Sequence, residues 1–434
     1  MKKVLIISYY WPPSGGAGVQ RWLKFVKYLG NFDWEPIVYT PENPESPETD
    51  ESLFKDIPEN VTILKNHIWE PYLAYKKFMG RGREDKIQSA FLNEKKSNPL
   101  TENISVWIRG NFFIPDARKF WIKPSVRFLE KYIGKNPVDL LMSTGPPHSM
   151  HCIGQLVASK CNLPWIADFR DPWTNIDFYS ALKLTKWADQ KHHRLEREVL
   201  KNASAVITVS KSMAEEFNNI CKRNYDVITN GFDTDDIIPA ANIITDKKFS
   251  IAHIGSLVSS RNPHVLWEAL KAILEQDKGF RDDLMIKLVG KVDFSVNNSI
   301  EQFGLSEYIE KTDYMPHNEV VKMQQQSQVL LLLINNTPNS KSILTGKFFE
   351  YLAARRPIIC IGPPDGDAAT ILKGTNSGLV ADFNDVQTMK ENILTFYDQY
   401  KSGKLVSESR NIEKYSRKEL TKSLSEIMNR VTNK

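Results

Sequence analysis

Short β-branched runs alternate with amphipathic stretches, and the chain passes through this alternation twice; no other feature constrains its fold so strongly. Val4 to Ile7 is an apolar run of the kind that lies covered on both faces in a parallel sheet. A Gly-rich turn, Ser14 to Gly18, leads into an amphipathic helix over Val19 to Leu29, and Val38 to Thr40 reads as the next strand. A Pro-rich acidic loop, Pro41 to Pro58, follows. Further strands are predicted at Asp139–Met142, Trp165–Asp168 and Ala205–Val209, with helices at Met150–Lys160 and Lys183–Lys201. Ser210 is placed to cap a helix that buries Met213 and Phe217. Asp233 to Lys248 has the composition of a linker. Beyond it strands fall at Ser250–Ile254, Met285–Val289, Val329–Ile334 and Pro357–Ile361, with helices at His264–Leu274 and Gly346–Ala354. An α/β chain built this way implies two Rossmann-like domains, 1–235 and 249–415, facing each other across a cleft. A last helix within 416–434 is expected to cross back to the first domain.

At 434 residues the chain exceeds one compact core, which agrees with two domains. Its formal net charge of +5 is mild and gives no argument for nucleic acid. Cys152, Cys161, Cys221 and Cys360 lie far apart, without the spacing of a zinc site, and read as core thiols in a reducing compartment. The apolar run after Met1-Lys2-Lys3 is too short for a signal peptide, and no run reaches the ~18 residues of a membrane span. A cytoplasmic protein is expected.

In an open parallel sheet, ligands collect beyond the carboxyl ends of the strands, where helix N-termini point. Three loops fall there. Gly15 and Gly16 follow the first strand, and their amides can approach a phosphate because no Cβ intervenes. The spacing is not that of a dinucleotide fingerprint, and a Gly-rich turn is often only a turn. Gly255, Ser256 and Arg261 open the second half; Arg261 either clamps a diphosphate or lies solvated at the surface. Thr345, Gly346, Lys347 and Glu350 form the third set. Thr345 can cap a helix whose free amides lie at Gly346 and Lys347. Glu350, among apolar neighbours, needs partners that ribose hydroxyls would supply, or else it only favours the helix dipole.

The pattern resembles the retaining family 4 glycosyltransferases, of the two-Rossmann GT-B architecture. The second half carries Gly255 to Arg261, Leu288-Val289-Gly290, Tyr314 to Glu319, Val329 to Leu333 and Lys347 to Pro357. The first half carries Tyr10-Trp11-Pro12-Pro13 with the Gly loop, Ala167 to Trp173, Val209-Ser210 and Ile228 to Asp233. The resemblance implies that Glu350 binds the donor ribose, that the Gly346 and Lys347 amides hold the diphosphate, and that Arg261 stands for a phosphate-binding Lys. It places Gly15 and Gly16 near diphosphate and acceptor, and Gly290, Tyr314 and Met315 around the base. Two positions depart from the pattern: Ser342 stands where the first Glu of a pair is expected, and Ser256 where a second phosphate Arg is expected. The implied reaction is metal-independent, with cations and helix amides stabilising the departing nucleoside diphosphate.

His148, in the loop Ser143 to His148, either touches the donor sugar or acceptor, or caps the next helix. Asp168, Arg170 and Asp171 end a strand and are expected on the acceptor side of the cleft; the alternative pairs Arg170 with a carboxylate structurally. From Val61 to Lys135 there are 15 Lys and Arg against 7 Asp and Glu, a net of +8, with aromatics interleaved, among them Trp69, Trp107, Phe112, Phe120 and Trp121. No recognition motif for nucleic acid accompanies them. Two amphipathic helices with core aromatics account for most of the segment, and the cations over 108–135 can make a peripheral membrane contact, as suits a polyprenyl-linked acceptor. The expected function is therefore sugar transfer from a nucleotide-sugar donor to a glycan or lipid-linked acceptor, in the assembly of surface polysaccharide such as lipopolysaccharide. An inactive nucleotide-sugar-binding pseudo-transferase and a sugar-nucleotide epimerase are the alternatives.

Overall fold

The structure, a computed structural model, describes residues 1–46, 49–70, 99–239, 243–313 and 315–433. Tyr314 and the aromatics Tyr72, Tyr75 and Phe78 lie outside the described residues.

The chain divides into two units, Met1–Thr229 with Arg417–Lys434, and Asn230–Ser416. Unit 1 holds a parallel sheet of seven strands in the order β3-β2-β1-β4-β5-β6-β7. These are β1 Lys2–Ile7, β2 Trp34–Pro41, β3 Thr62–Asn66, β4 Leu140–Gly145, β5 Trp165–Phe169, β6 Ala205–Thr208 and β7 Asp226–Val227. Along β1 successive side chains serve opposite faces. Val4 and Ile6 pack beneath helix α1 (Ala17–Leu29). Leu5 and Ile7 face the layer built by α3 (Lys119–Ile133), α4 (Ser149–Cys161), α5 (Lys186–Asn202) and α6 (Lys211–Ile220), while α2 (Pro99–Phe112) packs against α5. Ser210 caps α6 by accepting the Met213 amide at 3.3 Å, and Met213 and Phe217 are buried.

Unit 2 repeats the plan with six parallel strands, ordered β10-β9-β8-β11-β12-β13. They are β8 Phe249–Ile254, β9 Leu284–Val289, β10 Ile309–Thr312, β11 Val329–Leu333, β12 Ile358–Ile361 and β13 Gly378–Ala381. Helices α7 (His264–Gln276), α8 (Lys278–Asp283) and α9 (Phe294–Gln302) follow β8 and β9. Next come α10 (His317–Gln326), α11 (Gly346–Ala353), α12 (Asp367–Thr375) and α13 (Val386–Lys401). Both sheets are thus doubly wound, with the change of direction beside the first strand of each unit, where ligands gather in such folds.

Two boundaries differ from the sequence reading. Residues 230–235 belong to unit 2, because Phe232 joins the unit-2 core and its amide donates to the Tyr415 carbonyl at 3.1 Å. The end of the expected linker is also tied down: Asp246 pairs with Lys287 at 2.8 Å and accepts the Ser250 hydroxyl at 2.6 Å. Helix α14 (Arg417–Thr432) lies in unit 1, where Leu420, Leu424, Met428 and Val431 share the core beneath α1. Cys152 and Cys360 are buried, and all four thiols are free.

The basic aromatic segment splits between two environments. Trp121 is buried and stacks on Tyr39 with centroids 4.9 Å apart, whereas Trp107, Phe112 and Phe120 remain exposed. Among the described residues no helix is long and apolar enough to cross a membrane.

Asp168 is the polar centre of unit 1. It is fully buried at the end of β5, and Arg21, itself 1% exposed, donates to both its oxygens, at 2.8 and 3.1 Å. Trp22 Nε1 and Thr144 Oγ1 donate as well, at 2.8 and 3.2 Å. Burial alone would raise this carboxyl, but Arg21 holds it below the usual carboxylate range. Removing one partner of such a pair strands the other charge in the interior. Asp168→Ala is expected to lower stability by about 3–5 kcal/mol in urea titrations, and combining Asp168→Leu with Arg21→Met to recover part of that loss.

Candidate functional site

At the carboxyl edge of the unit-2 sheet, β8 and β9 each end in a glycine with positive φ, 117° at Gly255 and 106° at Gly290. A Cβ on Gly290 would lie 3.2 Å from the Gly255 carbonyl carbon, so the bare α-carbon lets the two strand ends close together. A Cβ on Gly255 would lie 2.5 Å from Lys347 Nζ. The Lys347 ammonium therefore rests directly on the Gly255 backbone.

Lys347 is the second residue of α11, and Arg261 closes a short 3₁₀ turn, Ser259–Arg261, after β8. Burial, and then the charge of Arg261, push the Lys347 ammonium down to about 8. Its Nζ makes no ion pair or hydrogen bond among the described residues. His253, fully buried one residue before the end of β8, donates from Nδ1 to the Leu331 carbonyl at 3.1 Å. Burial and the neighbouring Lys347 lower it to about 3, so it stays neutral and adds no third positive charge. Two cations are held close together here at an electrostatic cost, a cost that a bound polyanion would remove.

The phenol of Tyr351 accepts the Ile254 amide at 3.0 Å and fixes α11 to β8. Phe348 and Phe349 are buried beside it, leaving Glu350 half-exposed on the opposite side of the helix. Gln324 of α10 donates to Glu350 Oε2 at 3.2 Å, a partner the sequence did not disclose. Thr345 occupies the N-cap position of α11 but does not cap it, contrary to expectation. Its Oγ1 is buried and makes no hydrogen bond among the described residues. The Gly346 and Lys347 amides likewise donate to no backbone carbonyl there. Ser256 is half-buried beside Gly255, and Met315 packs at the edge of the core that contains α11. Ser342 turns inward, its hydroxyl donating to the Asn339 carbonyl at 2.9 Å. Among the described residues, unit 2 thus assembles Lys347, Arg261, free helix amides and a carboxylate one turn along. Such a set can hold a polyphosphate ester next to a hydroxyl-bearing group.

Unit 1 has its own site at the same edge of its sheet. Gly15 and Gly16 link β1 to α1, and Gly16 takes φ 86° as the N-cap residue, a conformation that favours glycine. Asp168, expected on the acceptor side, instead points into the interior toward Arg21, as described above. Arg170 makes no ion pair with a carboxylate among the described residues. It donates to the Gly18 carbonyl at 2.7 Å and to the Pro146 carbonyl, tying the Gly loop to the loop after β4. Asp171 is exposed.

His148 stands at the N-cap of α4 without capping it; Asp116 does that, accepting the Ser149 amide at 2.8 Å. Its ring is 8% exposed and stacks on Trp173, with centroids 4.5 Å apart and planes 3° from parallel. Burial, then His151, lower His148 well below the usual histidine range. His151 and Trp173 were missed as companions of His148; the spacing His148-x-x-His151 at a helix start was their one signal in the sequence. Among the described residues, no group of three or more His, Cys, Asp or Glu side chains is placed to hold a metal ion.

No curated protein matches the chain in sequence. Solved structures share its fold over nearly the full length at low identity. A glycosyltransferase from Rickettsia africae superposes with a TM-score of 0.61 at 15% identity, covering 99% of this chain and 98% of its own. Anabaena HepE in complex with UDP-glucose gives 0.59 at 14%, covering 99% and 100%. A mutant of S. aureus TarM in complex with UDP and glycan ligands gives 0.59 at 13%, covering all of both chains (100% and 100%). The family described as Glycosyl transferases group 1 matches residues 234–419. Residues 15–236, more than half of the chain, match the family described as Glycosyltransferase Family 4, and the protein belongs to that family.

Proposed function

We propose that this glycosyltransferase takes its sugar from a nucleotide-sugar donor held by unit 2 and transfers it with retention at the anomeric carbon. The observation that carries the reading is the placement of Lys347 against Gly255, beside Arg261 and the open amides of α11. As the nucleoside diphosphate departs, negative charge grows on its phosphate oxygens. Preorganised cations and amides stabilise that charge more than they stabilise the bound donor, which lowers the barrier. In this reading they serve in place of a metal ion. Glu350, with one oxygen already held by Gln324, offers its remaining acceptor capacity to the ribose hydroxyls. His148 and the Gly15-Gly16 loop serve the sugar and acceptor side. HepE, whose fold is similar, was solved with UDP-glucose, which supports a donor of this class.

A glycan or polyprenyl-linked acceptor in surface-polysaccharide assembly, at the inner face of the cell membrane, is the reading that best suits unit 1. Trp187, Phe112, Phe120 and Trp107 are 62%, 59%, 42% and 39% exposed. Lys191 lies 4.9 Å over the Trp187 ring, and Lys119 5.1 Å over Phe120. Trp107, Phe112, Ile114, Lys119, Trp187 and Lys191 line a recess of about 310 Å³. Aromatic rings with ammonium groups above them suit the boundary between acyl chains and anionic headgroups. A second reading, a binding protein without turnover, is favoured by Ser256 and by the inward-turned Ser342, which leave one cation and one carboxylate fewer than the family pattern.

Thermal unfolding against UDP-, GDP- and ADP-sugars tests the first reading. One nucleotide is expected to raise the midpoint by mass action, and Glu350→Ala to abolish the shift. Release of nucleoside diphosphate in the presence of acceptor separates transferase from binding protein. Donor affinity is expected to fall as pH rises through about 8, where Lys347 loses its proton, and Lys347→Arg to retain affinity at pH 9. Stability should move the other way. Between about 8 and 10.5 the unfolded chain binds more protons at Lys347, so its contribution to stability rises with pH. Vesicles containing phosphatidylglycerol are expected to sediment the protein at physiological salt, whereas Lys119→Glu with Lys191→Glu should lower binding several-fold; no sedimentation would remove the membrane reading.

A further inference from the structure

A chain of polar groups runs through the interior of unit 1 behind His148, and its direction is fixed by chemistry. Trp165 Nε1 donates to Ser143 Oγ at 2.9 Å, and an indole nitrogen can do nothing else. The Ser143 hydroxyl, having accepted that bond, has its own proton to place. Its one other polar contact among the described residues is His151 Nδ1, at 2.9 Å. Ser143 therefore donates and His151 Nδ1 accepts, which puts the imidazole proton of His151 on Nε2.

That Nε2–H is buried, makes no hydrogen bond among the described residues, and points at the bare α-carbon of Gly145. A Cβ there would lie 2.5 Å from His151 Nε2 and 3.0 Å from His148 Nδ1. The two nitrogens thus converge on one spot, and His148 Nδ1 is also buried without a hydrogen bond. Two N–H groups aimed at the same buried spot repel; a donor facing a lone pair attracts. Stacking on Trp173 and, for His151, on Phe169 at 4.3 Å keeps both rings from turning away. Trp173 is itself anchored by donating from Nε1 to His192 Nδ1 at 3.1 Å.

We propose that Ser143 and His151 are positioning residues that hold His148 in its Nε2–H tautomer, so that it offers one hydrogen-bond donor to a ligand oxygen. The ligand part of this statement rests on the donor and acceptor reading above; the tautomer does not. Both imidazoles are neutral at physiological pH: burial lowers His151 to about 3 and His148 well below its ordinary value, with Arg170 and His192 opposing a charge on His148 as well. A neutral ring with a fixed proton can donate to a sugar hydroxyl or glycosidic oxygen without bringing a further positive charge beside Arg170.

Long-range proton–nitrogen correlation spectra of the histidine side chains, recorded on the full chain, test this directly. In the wild type, His148 and His151 are both expected to carry the proton on Nε2 at pH 7. Ser143→Ala should release His151 to a mixture of tautomers and carry His148 with it, while Ser143→Thr, which keeps the hydroxyl, should restore the wild-type pattern. Proton occupancy on Nδ1 of His148 in the wild type would overturn the proposal. So would an unchanged His148 in a folded Ser143→Ala protein whose His151 has changed. Adding the nucleotide sugar that raises the thermal midpoint distinguishes the two readings. A shifted His148 Nε2 signal upholds both; the correct tautomer without any shift upholds the polar chain and removes His148 from the ligand site.

Discussion

The buried pair of Arg21 and Asp168 holds together the parts of unit 1 that the rest depends on. A carboxylate with no exposure is tolerable only if it is paired and its lone pairs are occupied. Asp168 meets that requirement with donors from α1 and from β4, and Arg21 spends its remaining N–H groups on the Ile228 and Thr229 carbonyls, at 2.9 and 2.8 Å. One guanidinium thereby connects the helix behind the Gly loop, the end of β5, and the last residues of the chain before it leaves the unit. Arg170, two residues beyond Asp168, fastens the front of the same helix by bonding the Gly18 carbonyl. The Gly15-Gly16 turn is held from behind and from the side, which leaves its backbone preorganised rather than floppy.

Unit 2 reaches a comparable rigidity by different means. Its site rests on a glycine pair that removes steric bulk and on a phenol that bolts α11 to β8. Burial and the charge of Arg261 lower the Lys347 ammonium, and burial together with Lys347 keeps His253 neutral although its bond to the Leu331 carbonyl favours the charged form. A protein interior ordinarily avoids placing two cations together. Here Lys347 and Arg261 lie together beside the open amides of α11, the arrangement on which the proposed donor site rests.

Much of this was legible in the sequence, and the failures have physical causes. The central strands β1, β4, β5, β8, β11 and β12 are buried on both faces and so read as apolar runs. The edge strands β3 and β10 are half-exposed, and their Lys, Thr, Asn and Glu residues carry no such signal. Glycines at strand ends and the α11 motif were readable because backbone conformation and helix starts depend on local sequence. Asp168 was not, since the direction of a strand-end carboxylate is decided by Arg21, distant in sequence. The same applies to Thr345, whose residue type and position suit a cap that its side chain does not make. Ser143 and His151 were hidden for another reason: a hydrogen-bond chain across β4, α4 and β5 leaves no periodic trace. The exposed Trp107, Phe112 and Phe120 share their residue types with the buried Trp121, and only packing separates the two groups.

Helix α14 gives the molecule an order of assembly. Unit 2 is one uninterrupted stretch of chain, 230–416, whereas unit 1 needs residues made before it and residues made after it. On the ribosome, the first sheet can form early but must wait, with the apolar floor under α1 uncovered, until Leu420, Leu424, Met428 and Val431 emerge. The second-encoded unit is the first that can be finished. Loss of the last turns of the chain would accordingly wound the amino-terminal unit and spare the one to which those turns are adjacent in sequence.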